Sequence, residues 1–168
     1  MKRRILLVDG HSVIFAWPDL AEIHRQNTAS ARENLVRRLT ALQDSSEWEV
    51  AVVFDGRGAK ASSDSVPHGI AVFYSKSGQT ADEIIERLAA KYSATCEVTV
   101  ATDDHMERTT VEAFGCLSIS TDQLLAEIES ASGALREKIQ NLGSRRVGVP
   151  PNQDGTKWAG RPRSLKNQ

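Results

Sequence analysis

The chain has 168 residues, 40% of them hydrophobic and 26% charged, with a formal net charge of −1. These are the values of one ordinary globular domain large enough to bury a core, with no internal repeat and no sign of a second domain. No apolar run approaches the ~20 residues that span a bilayer, so no membrane partner is expected. The two cysteines, Cys96 and Cys116, make neither a disulfide framework nor a zinc spacing, and a reducing cytoplasm is the expected location.

The basic start Met1–Arg4 runs into an apolar stretch that stops at Asp9, too short for a signal sequence. Residues 3–8 read instead as a buried first strand. Gly10-His11-Ser12 reads as a turn, and Trp17-Pro18 as the start of a short helix, because proline is tolerated in a first helical turn. A helix is expected over 30–43. Ser30 and Glu33 have capping-box spacing, and Leu35, Leu39 and Leu42 recur on one face. Val50–Phe54 is the second strand, followed by a long Gly/Ser/Ala-rich loop, 56–69, of a kind that often carries function. Ile70–Tyr74 is the third strand. Thr80 and Glu83 cap the next helix, which buries Ile84, Ile85, Leu88 and Ala89. Glu97–Ala101 is the fourth strand. A helix over 103–114, with Thr102 as N-cap, ends at Gly115, and Leu117–Ile119 is a short fifth strand. Ser120 and Gln123 open a long helix to about Leu142, with Leu124, Leu125, Ile128, Leu135 and Ile139 along it. Strands alternating with helices imply a three-layer α/β/α sandwich with a mainly parallel sheet of about five strands. The division expected is a domain over 1–143 and a basic Gly/Pro-containing tail over 144–168. Residues 136–168 hold eight of the 21 Lys/Arg but only two of the 22 acids. A basic tail on an acidic body suggests a nucleic-acid partner.

Four acids sit where apolar runs end or the following helix begins: Asp9, Asp55, Asp82 and Asp104. In an open parallel sheet, ligands bind beyond the carboxyl ends of the strands. Carboxylates gathered there repel one another, and oxygen-only ligands suit Mg²⁺ or Mn²⁺, one or two ions. Each acid also has a plainer reading. Asp9-Gly10 and Asp55-Gly56 are turn dipeptides, and Asp82, Asp104 and the neighbouring Asp103 sit in or before first helical turns, where the dipole favours negative charge. Glu86 and Glu107 each lie about one turn along a helix from one of these acids. Glu107 ranks as a weaker candidate. His11, His68 and His105 read more readily as surface or packing residues. Neither a phosphate-binding P-loop nor a G-x-S-x-G element is present.

Leu6-Leu7-Val8-Asp9-Gly10-His11-Ser12-Val13-Ile14, Val52-Val53-Phe54-Asp55-Gly56, Thr80-Ala81-Asp82-Glu83-Ile84-Ile85-Glu86 and Val100-Ala101-Thr102-Asp103-Asp104 occur in the order of the NYN-domain family. Over residues 4–140 the chain resembles its YacP-like branch, predicted or demonstrated endoribonucleases of the PIN-like superfamily. The resemblance implies a PIN-like fold and metal-dependent cleavage of RNA, ribosome-associated mRNA included. Asp9, Asp82 and Asp104 would be catalytic and metal-holding, with Asp55, Asp103, Glu86 and Ser12 in support. Ser12 stands where the family usually has Asn, a hydroxyl in place of a carboxamide. Phosphate contacts must come from basic groups. Arg57, Lys60, Lys76, Arg145, Arg146, Arg161 and Arg163 are the candidates, and Trp158 could stack on a base. The alternative is an RNA- or ribosome-binding module with weakened or absent catalysis. A phosphatase of the haloacid-dehalogenase type is disfavoured, because Asp9-Gly10-His11 lacks the second aspartate such a site needs.

Overall fold

The computed structural model describes residues 1–56 and 69–145. Its elements are β1 (Arg4–Asp9), α1 (Gly10–Ala16), α2 (Pro18–Gln26), α3 (Thr28–Ser45), β2 (Trp48–Phe54), β3 (Ala71–Tyr74), α4 (Ala81–Tyr92), β4 (Glu97–Ala101), α5 (His105–Ala113), β5 (Leu117–Ile119) and α6 (Thr121–Arg145). The strands form one sheet in the order β3-β2-β1-β4-β5, every neighbouring pair parallel. The chain therefore steps outward from β1 to β3, then returns to lay β4 on the other side of β1. With right-handed crossovers this reversal places helices on opposite faces and opens a crevice between β1 and β4 at their carboxyl ends.

The side-chain alternation explains the continuous apolar runs. Leu6 and Val8 of β1 and Val50, Val52 and Phe54 of β2 face a core closed by α1, α2, α3 and α6. Ile5, Leu7, Ala51 and Val53 face a second core closed by α4 and α5. A strand buried on both sides has no polar register to show. Continuing the alternation past Leu7 puts Asp9 on the α4/α5 side.

Two glycines let the chain leave the sheet tightly. A Cβ on Gly10 would lie 2.4 Å from the Phe54 ring, and one on Gly56 would lie 2.2 Å from the Ser75 carbonyl oxygen. The Asp-Gly pairs are thus required by close packing at the strand ends.

Several local expectations are revised. Gly10-His11-Ser12 is the first turn of α1, because Val13 and Ile14 are buried and hold the segment helical. Helix α3 begins at Thr28: Asn27 is its N-cap and accepts from the Ser30 amide at 3.1 Å, so Ser30 lies inside the helix. Asp104, not Thr102, caps α5. Helix α6 runs through Gly143 to Arg145. Its apolar stripe is buried only at the start. Leu124 is fully covered, whereas Leu135, Ile139 and Leu142 are exposed, since the helix has passed the edge of the body.

Candidate active site

Asp9 ends β1 and caps α1, and the two roles share its carboxylate. Oδ1 accepts from the backbone amides of His11 (3.1 Å) and Ser12 (3.3 Å). Oδ2 accepts from the Ser12 hydroxyl at 2.7 Å and the Thr102 hydroxyl at 3.2 Å. The Ser12 and Thr102 hydroxyls are themselves 3.2 Å apart. The Asp9 side chain, with only 5% of the residue exposed, is held from the first turn of α1 and from the end of β4 at once.

Asp82 enters from α4, whose N-terminus is fixed by a complete capping box between Thr80 and Glu83. Burial, then the negative charges of Asp9, Asp104, Asp55 and Glu86, raise its pKa above the usual carboxylate range. Glu107 enters from α5. It is 2% exposed, and neither of its carboxyl oxygens has a hydrogen-bond partner among the described residues. Burial pushes its pKa from the usual 4.5 up to about 8. The negative charges of Asp9 and Asp82 add to the shift.

Oxygens of Asp9, Asp82 and Glu107 all lie within 4.8 Å of one another. Opposite ligands of a Mg²⁺ ion are about 4 Å apart, twice a bond of about 2.1 Å, so the spacing is of the right size for one cation. Among the described residues, none of the three is paired with Lys, Arg or His. Like charges brought so close without a counter-charge are costly, and unpartnered buried carboxyl oxygens add to that cost. The donor set and its orphaned oxygens both fit a hard divalent ion.

Other expected residues stand around this cluster. Asp104 Oδ1 accepts from the amides of Met106 (2.8 Å) and Glu107 (3.1 Å), so it fixes the turn that presents Glu107. Its charge is still felt by Asp82. Asp55 Oδ1 accepts from the Ala81 amide at 3.0 Å and ties β2 to the start of α4. Asp103 accepts from the Thr121 amide (2.9 Å) and hydroxyl (2.7 Å), holding the start of α6. Lys76 is exposed and lines a groove with Asp55, Gly56, Ser75, Gln79 and Thr80. His105 is exposed at the start of α5. Arg57, Lys60, His68, Arg146, Trp158, Arg161 and Arg163 lie outside the described residues, and Arg145 is the last residue of α6.

Glu107 as a full member of the cluster, Thr102 as a partner of Asp9, and Arg32 are the residues that sequence reasoning underrated. Glu107 and Val111 are four apart and are the two buried residues of α5, so the acid falls on the helix's buried stripe. That placement was a readable signal. Arg32 donates to the Asp55 carbonyl at 2.7 Å, and its guanidinium lies over the Phe54 and Tyr74 rings at 5.4 and 5.6 Å. It is a fixed cation at the strand ends.

The sequence profile described as the YacP-like NYN domain matches residues 6–150. The chain belongs to the YacP-like NYN family. It is 32% identical over 144 residues to the uncharacterized protein YacP of Bacillus subtilis (strain 168), covering 84% of this chain and 85% of that protein. The crystal structure of Rae1 (YacP) from Bacillus subtilis superposes with a TM-score of 0.71 at 32% identity, covering 84% of this chain and 83% of that one. A single-substitution variant of the same protein gives 0.70 at 31% identity, with 83% of each chain covered. NYN domains form part of the PIN-like nuclease superfamily, and the all-parallel five-stranded sandwich is the fold this YacP-like chain shares with them.

Proposed function

We propose that this YacP-like protein is a divalent-metal-dependent ribonuclease that hydrolyses RNA phosphodiester bonds internally, in the cytoplasm. The observation that carries the reading is the meeting of Asp9, Asp82 and Glu107 within 4.8 Å, with both Glu107 oxygens buried and unpartnered. These three would hold Mg²⁺ or Mn²⁺, with Asp104 beside them as a further source of negative charge. When bound, such an ion lowers the pKa of a water and offsets charge on the phosphate under attack. The chain's own residues do the rest. Ser12 and Thr102 keep the Asp9 carboxylate in one orientation. Ser12 supplies a hydroxyl donor at the position where relatives usually carry a carboxamide, so a hydrogen bond to Asp9 is kept. Arg32 and Lys76, both beside Asp55 at the end of β2, would receive phosphates that the carboxylates would otherwise repel.

Asp9→Asn, Asp82→Asn and Glu107→Gln each test the assignment on single-stranded RNA in Mg²⁺ or Mn²⁺. Each is expected to cut at least about a hundredfold more slowly, because metal-assisted charge stabilisation contributes several kcal/mol and each 1.36 kcal/mol is tenfold in rate. Cleavage by all three variants at the parental rate would dismiss the cluster as the site. RNA that is bound in a salt-dependent way but never cut by the parent protein would favour the binding-module reading instead.

A further inference from the structure

The helix α1, which Asp9 caps, carries an aromatic group that the cleavage chemistry does not use. Phe15 on α1 is 55% exposed. Its ring lies against His11 with centroids 4.4 Å apart and a 40° tilt. The His24 ring of α2 approaches it edge-on at 5.0 Å. A single exposed phenylalanine is unremarkable on a protein surface. Two features set this one apart. The first is order: wedged between imidazoles from two helices, the ring is held without losing its outer surface, so little rotamer freedom remains to be lost on binding. The second is place. His11 is i−4 from Phe15 on the same helical face, and its backbone amide is bonded to Asp9. Ser12, which grips the same carboxylate, is one helical turn away, about 5 Å along the axis. On the opposite helical layer, the first turn of α5 presents Met106, 79% exposed, directly before Glu107. The strand ends holding the carboxylates are thus flanked by one aromatic and one thioether surface.

Phosphate contacts position the strand's backbone but leave its bases unheld, and a base next to the cleaved bond gains from a partner for its face. We propose that Phe15, buttressed by His11 and His24, is a stacking shelf for one unpaired nucleobase adjacent to the cleaved phosphodiester, which makes single-stranded RNA the substrate class. The inference rests on the reading above in one respect: RNA enters the carboxylate site.

The test measures binding of a short fluorescein-labelled single-stranded RNA by anisotropy in Ca²⁺, and its cleavage in Mg²⁺. Phe15→Ala is expected to weaken binding by about five- to 150-fold and to raise KM while leaving kcat nearly unchanged, whereas Phe15→Trp retains affinity. Oligonucleotides carrying one abasic position, moved along the strand, supply a readout that a merely structural role would not move. At one position the parent protein loses affinity by the same factor, and that loss does not add to the loss caused by Phe15→Ala. Unchanged affinity in Phe15→Ala, or losses that add at every position, overturns the shelf. If binding depends on Phe15 in this way but the parent protein never cuts RNA, the nuclease reading fails and the shelf stands. If Phe15→Ala binds and cuts like the parent, the reverse holds.

Discussion

Ser12 is one of the two side-chain donors that hold the Asp9 carboxylate, and its geometry says what that contact is worth. The hydroxyl donates to Asp9 Oδ2 at 2.7 Å and stands 3.2 Å from the Thr102 hydroxyl. Ser12→Ala removes one of the two side-chain donors that orient the carboxylate and leaves Thr102 alone. Partners of a metal-holding side chain typically contribute 10- to 100-fold, so kcat/KM in Mn²⁺ should fall by about that factor. Stability should fall by only about 1 kcal/mol, the net worth of one such hydrogen bond. Ser12→Asn, which keeps a side-chain donor to Asp9, should restore most of the activity. A steady-state comparison of the three proteins decides it, and an alanine variant as active as the parent would make the contact irrelevant to catalysis. Asp9 itself was legible in the sequence, because a charged residue ending an aliphatic run admits few explanations. Thr102 was not, since its role depends on β4 pairing with β1, two strands 93 residues apart at the contact.

At the scale of elements, the site depends on how helices begin. Helix α4 starts with the Thr80/Glu83 capping box, and α6 with the reciprocal pair Ser120 and Gln123. Both were legible because the spacing is local and needs no tertiary partner. The start of α1 was not: Asp9-Gly10 satisfies a turn as well as a cap, and only the burial of Val13 and Ile14 decides between them. For α5 the expected cap was Thr102, and the structure uses Asp104, two residues later. This suggests what Asp104 does. Asp104→Ala should cost about 1 kcal/mol in chemical denaturation, as lost caps do, and should also weaken Mn²⁺ binding, because Glu107 rides on the same turn. Asp104→Ser keeps a capping oxygen without the charge. It is expected to recover both stability and most of the cleavage rate. A serine variant that is stable but inactive would instead make Asp104 a direct participant.

For the whole molecule, the crowded carboxylates make stability depend on pH and on cations. Glu107 has a pKa near 4.5 when unfolded and about 8 when folded. Between these values the folded chain binds more protons at Glu107 than the unfolded one, so this residue's contribution to stability is fully present below about pH 4.5 and is lost as pH rises towards 8. Asp82, shifted in the same direction, adds to the loss at the acid end. In EDTA, the denaturation free energy of Glu107→Gln relative to the parent should therefore improve steadily from pH 5 to pH 8. Adding Mn²⁺ favours the ionised carboxylates and should flatten the parent's own decline. Parallel pH profiles for the two proteins, with or without the ion, would argue that Glu107 is not held protonated by its surroundings. The sheet itself was read correctly from alternating aliphatic runs and capping spacings. The third acid of the cluster was ranked too low, because its neighbours are brought together by strand order rather than by sequence distance.

That strand order has a consequence for when the protein becomes dangerous to RNA. The three clustered acids stand at the end of β1 and on the helices after β3 and β4, so the last of them, Glu107, lies far along the chain from Asp9. On the proposed reading, a nascent chain still emerging during synthesis carries Asp9 and Asp82 but lacks the third arm of the cage. Cutting power would then arrive late and all at once, so a half-made molecule spares the very message that encodes it.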